Sequence, residues 1–232
     1  MLGLPSRLLD LALPPRCLGC KELLSHGRAF CTPCAVTLLP RGASCLRCGR
    51  PASEALSPTG PCGPCLLEPS PFTRVTWAFE HGGAARDAIV GLKYGGRTEL
   101  ARRLVDLADL QLHTDVERVL PIPLHGHRLA ERGYNQAGLL ARHVARRLKV
   151  TVAWDALERT RVTSAQVGLS AAARRANVHG AFSVADPEVV HGRAVLLVDD
   201  VVTTGATARE CAQVLRAAGA ARVDLFSMTR DV

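Results

Sequence analysis

The 232-residue sequence predicts an α/β domain with a mostly parallel sheet, preceded by a small cysteine-rich module. Two observations support this fold class. Eight of the nine cysteines form four C-x-x-C pairs before residue 66. From residue 74 onward, apolar strand patterns alternate with helical patterns, which is typical of a parallel sheet covered by helices on both faces.

The first residues predict a short amphipathic helix over 4–13 and no exported leader. Asp10 interrupts the apolar run, and Pro14 and Pro15 end it before any site that resembles a cleavage site. No apolar run reaches the length of a membrane span. We therefore expect a cytoplasmic protein with no membrane span.

The four C-x-x-C pairs predict two structural zinc sites, each with four thiolate ligands. The alternatives are a disulfide framework, which needs an oxidising compartment, and redox-active dithiols. Pairing in chain order needs only short loops, whereas crossed pairing needs longer loop closure, so we favour chain order. Two such centres would lower the formal net charge from +8 to about +4. The predicted ligands are Cys17, Cys20, Cys31, Cys34, Cys45, Cys48, Cys62 and Cys65.

The stretch LLEPSPF, with Pro69 and Pro71, predicts an extended connector. We therefore place a domain boundary near residue 70, between a zinc-ribbon module with a short amino-terminal helix (1–70) and a larger domain (71–232). Its predicted strands are 74–81, 117–124, 180–184, 193–198 and 222–228, and its predicted helices are 84–94, 100–112, 134–148 and 205–218. Cys211, Trp77 and Trp154 are expected to pack in the core, although an exposed tryptophan could stack on a base.

The stretch VLLVDDVVTTGAT (195–207) carries the most informative chemistry. Its apolar run predicts a strand buried on both faces, with Asp199 and Asp200 at the carboxyl end, where such sheets bind ligands. The following turn presents backbone N–H groups, hydroxyls and a helix N-terminus to one point, which is a phosphate cradle. The two acids cannot share that anion. A ligand with a phosphate, a diol and a magnesium-bound anionic group would satisfy both halves.

This stretch resembles the phosphoribosyl pyrophosphate (PRPP) signature of the type I phosphoribosyltransferases. Two further stretches, LPIPLHGHRLAERGYNQAGLLA (120–141) and RTRVTSAQVGLSAAARRANVHGAFSV (159–184), resemble the ComF-type competence proteins, which join an amino-terminal zinc module to a phosphoribosyltransferase domain. The resemblance implies that fold, with Asp199 and Asp200 as the catalytic pair that accepts hydrogen bonds from the ribose 2- and 3-hydroxyls. It places the 5-phosphate on Thr203, Thr204, Gly205, Ala206 and Thr207.

The resemblance also implies two groups of residues for the pyrophosphate of a magnesium-bound PRPP. The first group is the pyrophosphate loop and the segment after it, formed by Pro123, Leu124, His125, Arg128 and Arg132. The second is a flexible lid with Arg161, Gln166, Arg174 and Asn177. For each arginine the alternative is that it only caps or solvates a helix.

Two functions remain open on the sequence alone. One is a ComF-type DNA-uptake protein that binds single-stranded DNA, for which the resemblance implies a DNA-uptake helicase as partner. The net charge of +8 over residues 118–175, with eleven basic and three acidic residues, favours phosphorylated ligands or nucleic acid. The alternative is a coding bias toward arginine, since the lysines are only Lys21, Lys93 and Lys149. The other is an active phosphoribosyltransferase with an unknown base acceptor. Thr203 stands where relatives that use 6-oxopurines have an acid, so we do not expect a 6-oxopurine acceptor. The sequence leaves the oligomeric state open.

Overall fold

The computed structural model describes residues 14–25, 27–51, 61–162 and 170–231. The predicted helix over 4–13 and the lid residue Gln166 lie outside these ranges. Among the described residues, no helix is both long and apolar enough to cross a membrane.

The larger domain is built around a parallel sheet, as predicted. The described strands, in chain order, are β1 (Val75–Glu80), β2 (Arg118–Pro121), β3 (Thr151–Val152), β4 (Leu157–Arg159), β5 (Phe182–Val184), β6 (Ala194–Val202) and β7 (Arg222–Arg230). Five of them form one parallel sheet in the order β1-β7-β6-β2-β3. The predicted strand over 180–184 does not join this sheet, because β5 pairs antiparallel with the short strand β4 in a separate two-stranded sheet.

Helices cover both faces of the parallel sheet. They are α1 (Gly83–Tyr94), α2 (Leu100–Asp106), α3 (Gly126–Arg132), α4 (Gln136–Leu148), α5 (Ala171–Val178) and α6 (Ala206–Ala217). One core cluster joins α1, α2 and α4 to Leu196 and Val198 of β6. The other joins α6 and the β4–β5 pair to Val195 and Leu197. Successive side chains of a strand point to opposite faces, and both faces of β6 are buried. Residues 194–198 are therefore all apolar.

Several predicted elements differ from the structure. The helix predicted over 100–112 ends at Asp106, and a separate 3₁₀ turn spans Gln111–His113. The helices α3 and α5 were predicted as loop and lid segments. The strand β6 extends to Val202, so Asp199 and Asp200 lie within the strand and not beyond it.

The zinc-ribbon module packs along the outer edge of the sheet. Backbone N–H groups of Arg41 and Glu80 donate to Ala78 and Leu39 at 3.2 and 2.8 Å, so the module pairs with β1 like an added antiparallel strand. This contact covers a sheet edge that would otherwise be open to association with other chains. Gly49 has a φ of +75°, and a Cβ there would lie 2.9 Å from the Trp77 ring, so only glycine allows this close approach.

A buried ionic cluster lies at the opposite end of the sheet from the acid pair. The wholly buried Asp224 carboxylate is 3.1 Å from Arg74 Nε and 3.4 Å from His113 Nδ1. The other nitrogen of His113 lies 2.6 Å from Thr76 Oγ1. Asp115 lies on the exposed side of the cluster and pairs with Arg74 and Arg222. Partial burial raises the pKa of Asp115, but the two guanidinium groups outweigh this effect and lower it to about 2. Since Thr76, His113 and Asp224 are buried from solvent, we assign them to stability and not to chemistry.

We expect Asp224→Asn to lower the free energy of unfolding by about 1–3 kcal/mol, because it removes a buried carboxylate that pairs with Arg74 and Arg222 and leaves them with Asp115 alone. Urea unfolding of the zinc-loaded protein measures this loss. Asp155→Asn is the matched control, since Asp155 is exposed and we expect a change within about 0.5 kcal/mol. Equal stability of the two variants would contradict the assignment.

Candidate functional site

The eight predicted ligands form two separate four-cysteine clusters, paired in chain order as predicted. Within each cluster all four sulfur atoms lie within 4.8 Å of one another. The Sγ atoms of Cys20 and Cys31 are 3.6 Å apart, and those of Cys48 and Cys62 are 3.5 Å apart. These separations are close to the roughly 3.8 Å expected between thiolates of a tetrahedral Zn²⁺ ion. None of the nine cysteines forms a disulfide.

Both clusters share one local design. In each cluster the residue after the first C-x-x-C pair, Lys21 or Gly49, has a left-handed backbone conformation. The first cysteine of the second pair is the N-cap of a short helix that has a proline in its first turn. Burial alone would raise the pKa of Cys17, but the backbone N–H groups of Cys31, Cys20 and Gly19 outweigh it and lower that pKa to about 6. These backbone donors therefore favour the thiolate, the form that binds zinc, at Cys17. At Cys31 the backbone N–H of Cys34 lowers the pKa, but burial and hydrogen bonds with the other three cysteines outweigh it and raise that pKa to about 12. These clusters are two zinc-binding sites with four cysteine ligands each.

The larger domain carries a cleft of about 520 Å³ at the carboxyl ends of β2 and β6. Among the described residues that line it, five are cationic and three are acidic, so its ionic lining has a net charge of +2. The lining comprises Lys93, Tyr94, Ile122, Pro123, Leu124, Arg128, Glu131, Arg132, Asn135, Gln136, Ala137, Arg159, Arg174, Asp199, Asp200, Val201, Thr203 and Thr207.

The acid pair, Asp199 and Asp200, lines this cleft. Because side chains alternate along β6, Asp199 points to the face of the sheet that α6 covers and Asp200 to the face that α1 covers. The Asp200 N–H donates to Asp199 Oδ1 at 2.8 Å. Burial and the neighbouring charge of Asp200 raise the pKa of Asp199 well above its ordinary value. Lys93 Nζ lies 3.2 Å from Asp200 Oδ2. The pair therefore stores electrostatic repulsion that a cation or a hydrogen-bond donor can relieve.

The predicted phosphate loop joins β6 to the N-terminus of α6. Gly205 is the N-cap residue with a φ of +73°, a left-handed conformation that lets the chain turn directly into the helix. A smaller recess of about 40 Å³ lies inside the loop, lined by Thr203, Thr207 and Asp199 among others. The α6 dipole and the N–H groups of its first turn favour an anion at this point.

The pyrophosphate-loop residues are only partly brought together. Pro123, Leu124, Arg128 and Arg132 line the cleft. His125 is not among the lining residues, because its Nδ1 accepts the His127 N–H at 3.2 Å and caps α3. Arg132 is already engaged, since it donates to Gln136 Oε1 at 3.1 Å and to the Tyr94 hydroxyl at 3.2 Å.

Of the described lid residues, only Arg174 lines the cleft. Arg174 of α5 reaches the cleft and donates to Thr203 Oγ1 at 3.0 Å. Arg161 instead donates to the carbonyls of Asn177 and His179 at 3.0 and 2.7 Å, so it links the residues after β4 to the C-terminus of α5. Glu210 of α6 accepts the Gly180 N–H at 2.6 Å and links the residues after α5 to α6.

Comparison with known proteins agrees with both parts of the chain. The double zinc ribbon domain matches residues 8–66, and the phosphoribosyl transferase domain matches residues 135–229. DNA utilization protein YhgH of Escherichia coli O157:H7 is 35% identical over 231 residues, which cover 96% of this chain and all of that protein. Competence protein F of Haemophilus influenzae is 30% identical over 226 residues, which cover 93% of this chain and 96% of that protein. The chain belongs to the ComF family.

Among solved structures, the chain is similar to the glutamine PRPP amidotransferase of B. subtilis, complexed with ADP and GMP. That similarity has a TM-score of 0.38 and 22% identity, and it covers 61% of this chain and 27% of that protein.

In this ComF-family chain, the sequence did not indicate several residues of the cleft. Arg159 comes from β4, a strand of three residues that is too short for a periodic signal. Glu131 comes from α3, which was predicted as a loop. Lys93 comes from the last turn of α1, and its ion pair with Asp200 was not predicted. The one available signal was its type, because Lys93 is one of only three lysines in the chain.

Proposed function

We propose that this protein is a ComF-type DNA-uptake protein whose cleft binds magnesium-PRPP. Relatives named for DNA utilization and for competence, at 30–35% identity over nearly the whole chain, support the DNA-uptake role. The match to the phosphoribosyl transferase domain over residues 135–229 includes the acid pair and the phosphate loop, and it supports PRPP as the ligand. On this proposal, residues 1–70 form the zinc-ribbon module and residues 71–232 the PRPP-binding domain.

One observation carries the ligand assignment: the acid pair and the phosphate loop open onto the same cationic cleft. Asp199 and Asp200 would accept hydrogen bonds from the ribose 2- and 3-hydroxyls. The loop from Thr203 to Thr207 would take the 5-phosphate through backbone N–H groups and hydroxyls at the N-terminus of α6. Arg128 and Arg132 on one wall, with Arg174 on the other, would neutralise the pyrophosphate.

The same cleft has the donor set for magnesium. Carboxylate oxygens are hard ligands that suit Mg²⁺, and Asp199 and Asp200 supply them directly or through bound water. Bound together with PRPP, the ion would neutralise charge on the departing pyrophosphate. Asp200 would hold the ribose and Arg174 the pyrophosphate, and the lid would exclude water.

If the site turns over, a nitrogen nucleophile would displace pyrophosphate from C1 of PRPP, and no covalent protein intermediate is needed. This chain would contribute positioning and charge neutralisation. Thr203 cannot accept a proton from a base, and its hydroxyl is bound by Arg174. We therefore propose an acceptor other than a 6-oxopurine.

Calorimetric titration with magnesium-PRPP tests the ligand. We expect one site per chain with a Kd of about 10 μM or tighter. Pyrophosphate and ribose 5-phosphate, each titrated alone, should bind at least about tenfold more weakly, because each occupies only half of the cleft. Absence of binding to folded, zinc-loaded protein would refute the assignment. Release of pyrophosphate with any candidate base would establish the active enzyme.

A second activity, binding of single-stranded DNA, is favoured by the basic segment and by one exposed aromatic ring. The prediction that Trp154 packs in the core is wrong, since its side chain is 50% exposed beside Gly138, in the first turn of α4. Arg142 and Arg146 are exposed on the same helix. Trp77 and Cys211 are buried, as predicted.

We expect affinity for a single-stranded oligonucleotide to fall steeply with salt, because several phosphate contacts release counterions. Trp154→Ala should weaken binding about tenfold through lost stacking, while Trp154→Phe retains most of it. Fluorescence anisotropy at several salt concentrations measures both effects. A flat salt response would refute DNA binding by the basic segment.

Two further parts of the proposal follow from the function. The uptake role implies a DNA-translocating helicase as a partner. We place the protein in the cytoplasm, because zinc sites built from four cysteines require thiols that stay reduced.

A further inference from the structure

Lys93 places its ammonium group beside the paired carboxylates of the cleft. Its Nζ is 3.2 Å from Asp200 Oδ2, and both side chains are largely buried, with 22% and 11% exposed. Asp199 is adjacent, and its carboxylate is coupled to Asp200 through the 2.8 Å hydrogen bond from the Asp200 N–H. A positive charge at this position offsets the repulsion between two neighbouring carboxylates.

The position of Lys93 is fixed from both ends of its helix. At the N-terminus of α1, the Thr37 hydroxyl of the zinc-ribbon module accepts the Ala84 N–H at 3.0 Å. At the C-terminus, the Tyr134 hydroxyl donates to the Leu92 carbonyl at 2.6 Å, directly before Lys93. The backbone of Lys93 is therefore anchored, while its four-carbon side chain can still redirect the ammonium group.

From this geometry we infer that Lys93 is an internal counter-ion that competes with a divalent cation for the acid pair. In the ligand-free site Lys93 holds Asp200 and disfavours binding of a metal ion alone. When an anion enters the cleft, the ammonium group exchanges its carboxylate partner for that anion, and Asp200 becomes accessible to metal. The identity of the anion, pyrophosphate within PRPP, rests on the proposed function.

This role makes two predictions of opposite sign for Lys93→Met. Affinity for Mn²⁺ alone should rise about tenfold, because the competing cation is gone and the paired carboxylates are left uncompensated. Affinity for inorganic pyrophosphate without metal should fall about tenfold, because one cation of the cleft is lost. A merely structural lysine would change both affinities in the same direction or neither.

The experiment uses zinc-loaded protein, with Mn²⁺ binding followed by electron paramagnetic resonance and pyrophosphate binding by calorimetry. Lys93→Arg retains the charge and should not gain Mn²⁺ affinity. Lys149→Met is the matched control, because it removes the same charge from an exposed site at the C-terminus of α4 and should change neither affinity. Adding Asp200→Asn to Lys93→Met should abolish the gain in Mn²⁺ affinity.

Unchanged or weaker Mn²⁺ binding by folded Lys93→Met would overturn the inference, as would a gain that persists in the double variant. Circular dichroism and zinc content establish that the variant is folded, and Lys93→Gln serves as a second variant with the same expected signs. The result is separable from the proposed function. A gain in Mn²⁺ affinity in a protein that does not bind magnesium-PRPP would support the counter-ion and refute the ligand.

Discussion

Cys17→Ser should remove one of the two zinc ions and lower the free energy of unfolding by more than about 5 kcal/mol. Structural zinc in small modules contributes about 10–16 kcal/mol, so loss of one ligand removes a large part of that. Cys17 is completely buried, and its carbonyl and that of Leu18 accept hydrogen bonds from Arg97. Thr37, three residues after the last cysteine of this cluster, accepts the Ala84 N–H with its hydroxyl and so caps α1.

The effect should extend to the cleft, because α1 carries Lys93 and Tyr94 on its last turn. Metal analysis and thermal unfolding measure the loss, and titration with magnesium-PRPP measures its extension. Cys211→Ser is the control: Cys211 is equally buried but lies in α6 and outside both clusters, so this variant should retain two zinc ions. Two zinc ions in folded Cys17→Ser would contradict the assigned ligand set.

The combined change Asp199→Asn and Asp200→Asn should weaken magnesium-PRPP binding at least about 100-fold, because it removes two charge-assisted hydrogen-bond acceptors and the carboxylates for magnesium. The same variant should unfold at about the same temperature. Burial and the charge of Asp200 both raise the pKa of Asp199, so the native site opposes its own ionisation. Removing this repulsion relieves the folded state, but it also leaves the largely buried Lys93 without Asp200 as its counter-charge, so the two effects offset each other.

Calorimetry and thermal unfolding of the double variant measure the two effects, with Asp155→Asn as a surface control. DNA affinity should be unchanged if the basic segment is a separate site. Retained PRPP affinity would contradict the role of the acid pair, whereas joint loss of PRPP and DNA binding in folded protein would contradict separate sites.

The parts of the fold that the sequence predicts are those with a strong local signal. The apolar run of β6 and the C-x-x-C pairs are such signals, and both led to the observed arrangement. The helix α5 was not predicted because its residues are mostly small or charged. Its available signal was Ser170, whose hydroxyl accepts the Ala173 N–H at 3.2 Å as an N-cap.

The ion pair of Lys93 with Asp200 joins residues more than 100 positions apart. It exists because α1 packs on the face of the sheet toward which Asp200 points, and strand alternation alone does not reveal that face. His125 is a second case. Its position in the resembling motif predicts a contact with pyrophosphate through the backbone amide, and this stays a prediction; the motif did not indicate that the His125 ring caps α3.

A crystal structure of the zinc-loaded protein with magnesium-PRPP tests the central claim most directly. We predict density for the 5-phosphate in the loop from Thr203 to Thr207, and for the ribose hydroxyls against Asp199 and Asp200. The pyrophosphate should lie between Arg128 and Arg174. Density for PRPP elsewhere, or a cleft that stays empty at saturating ligand, would contradict the account.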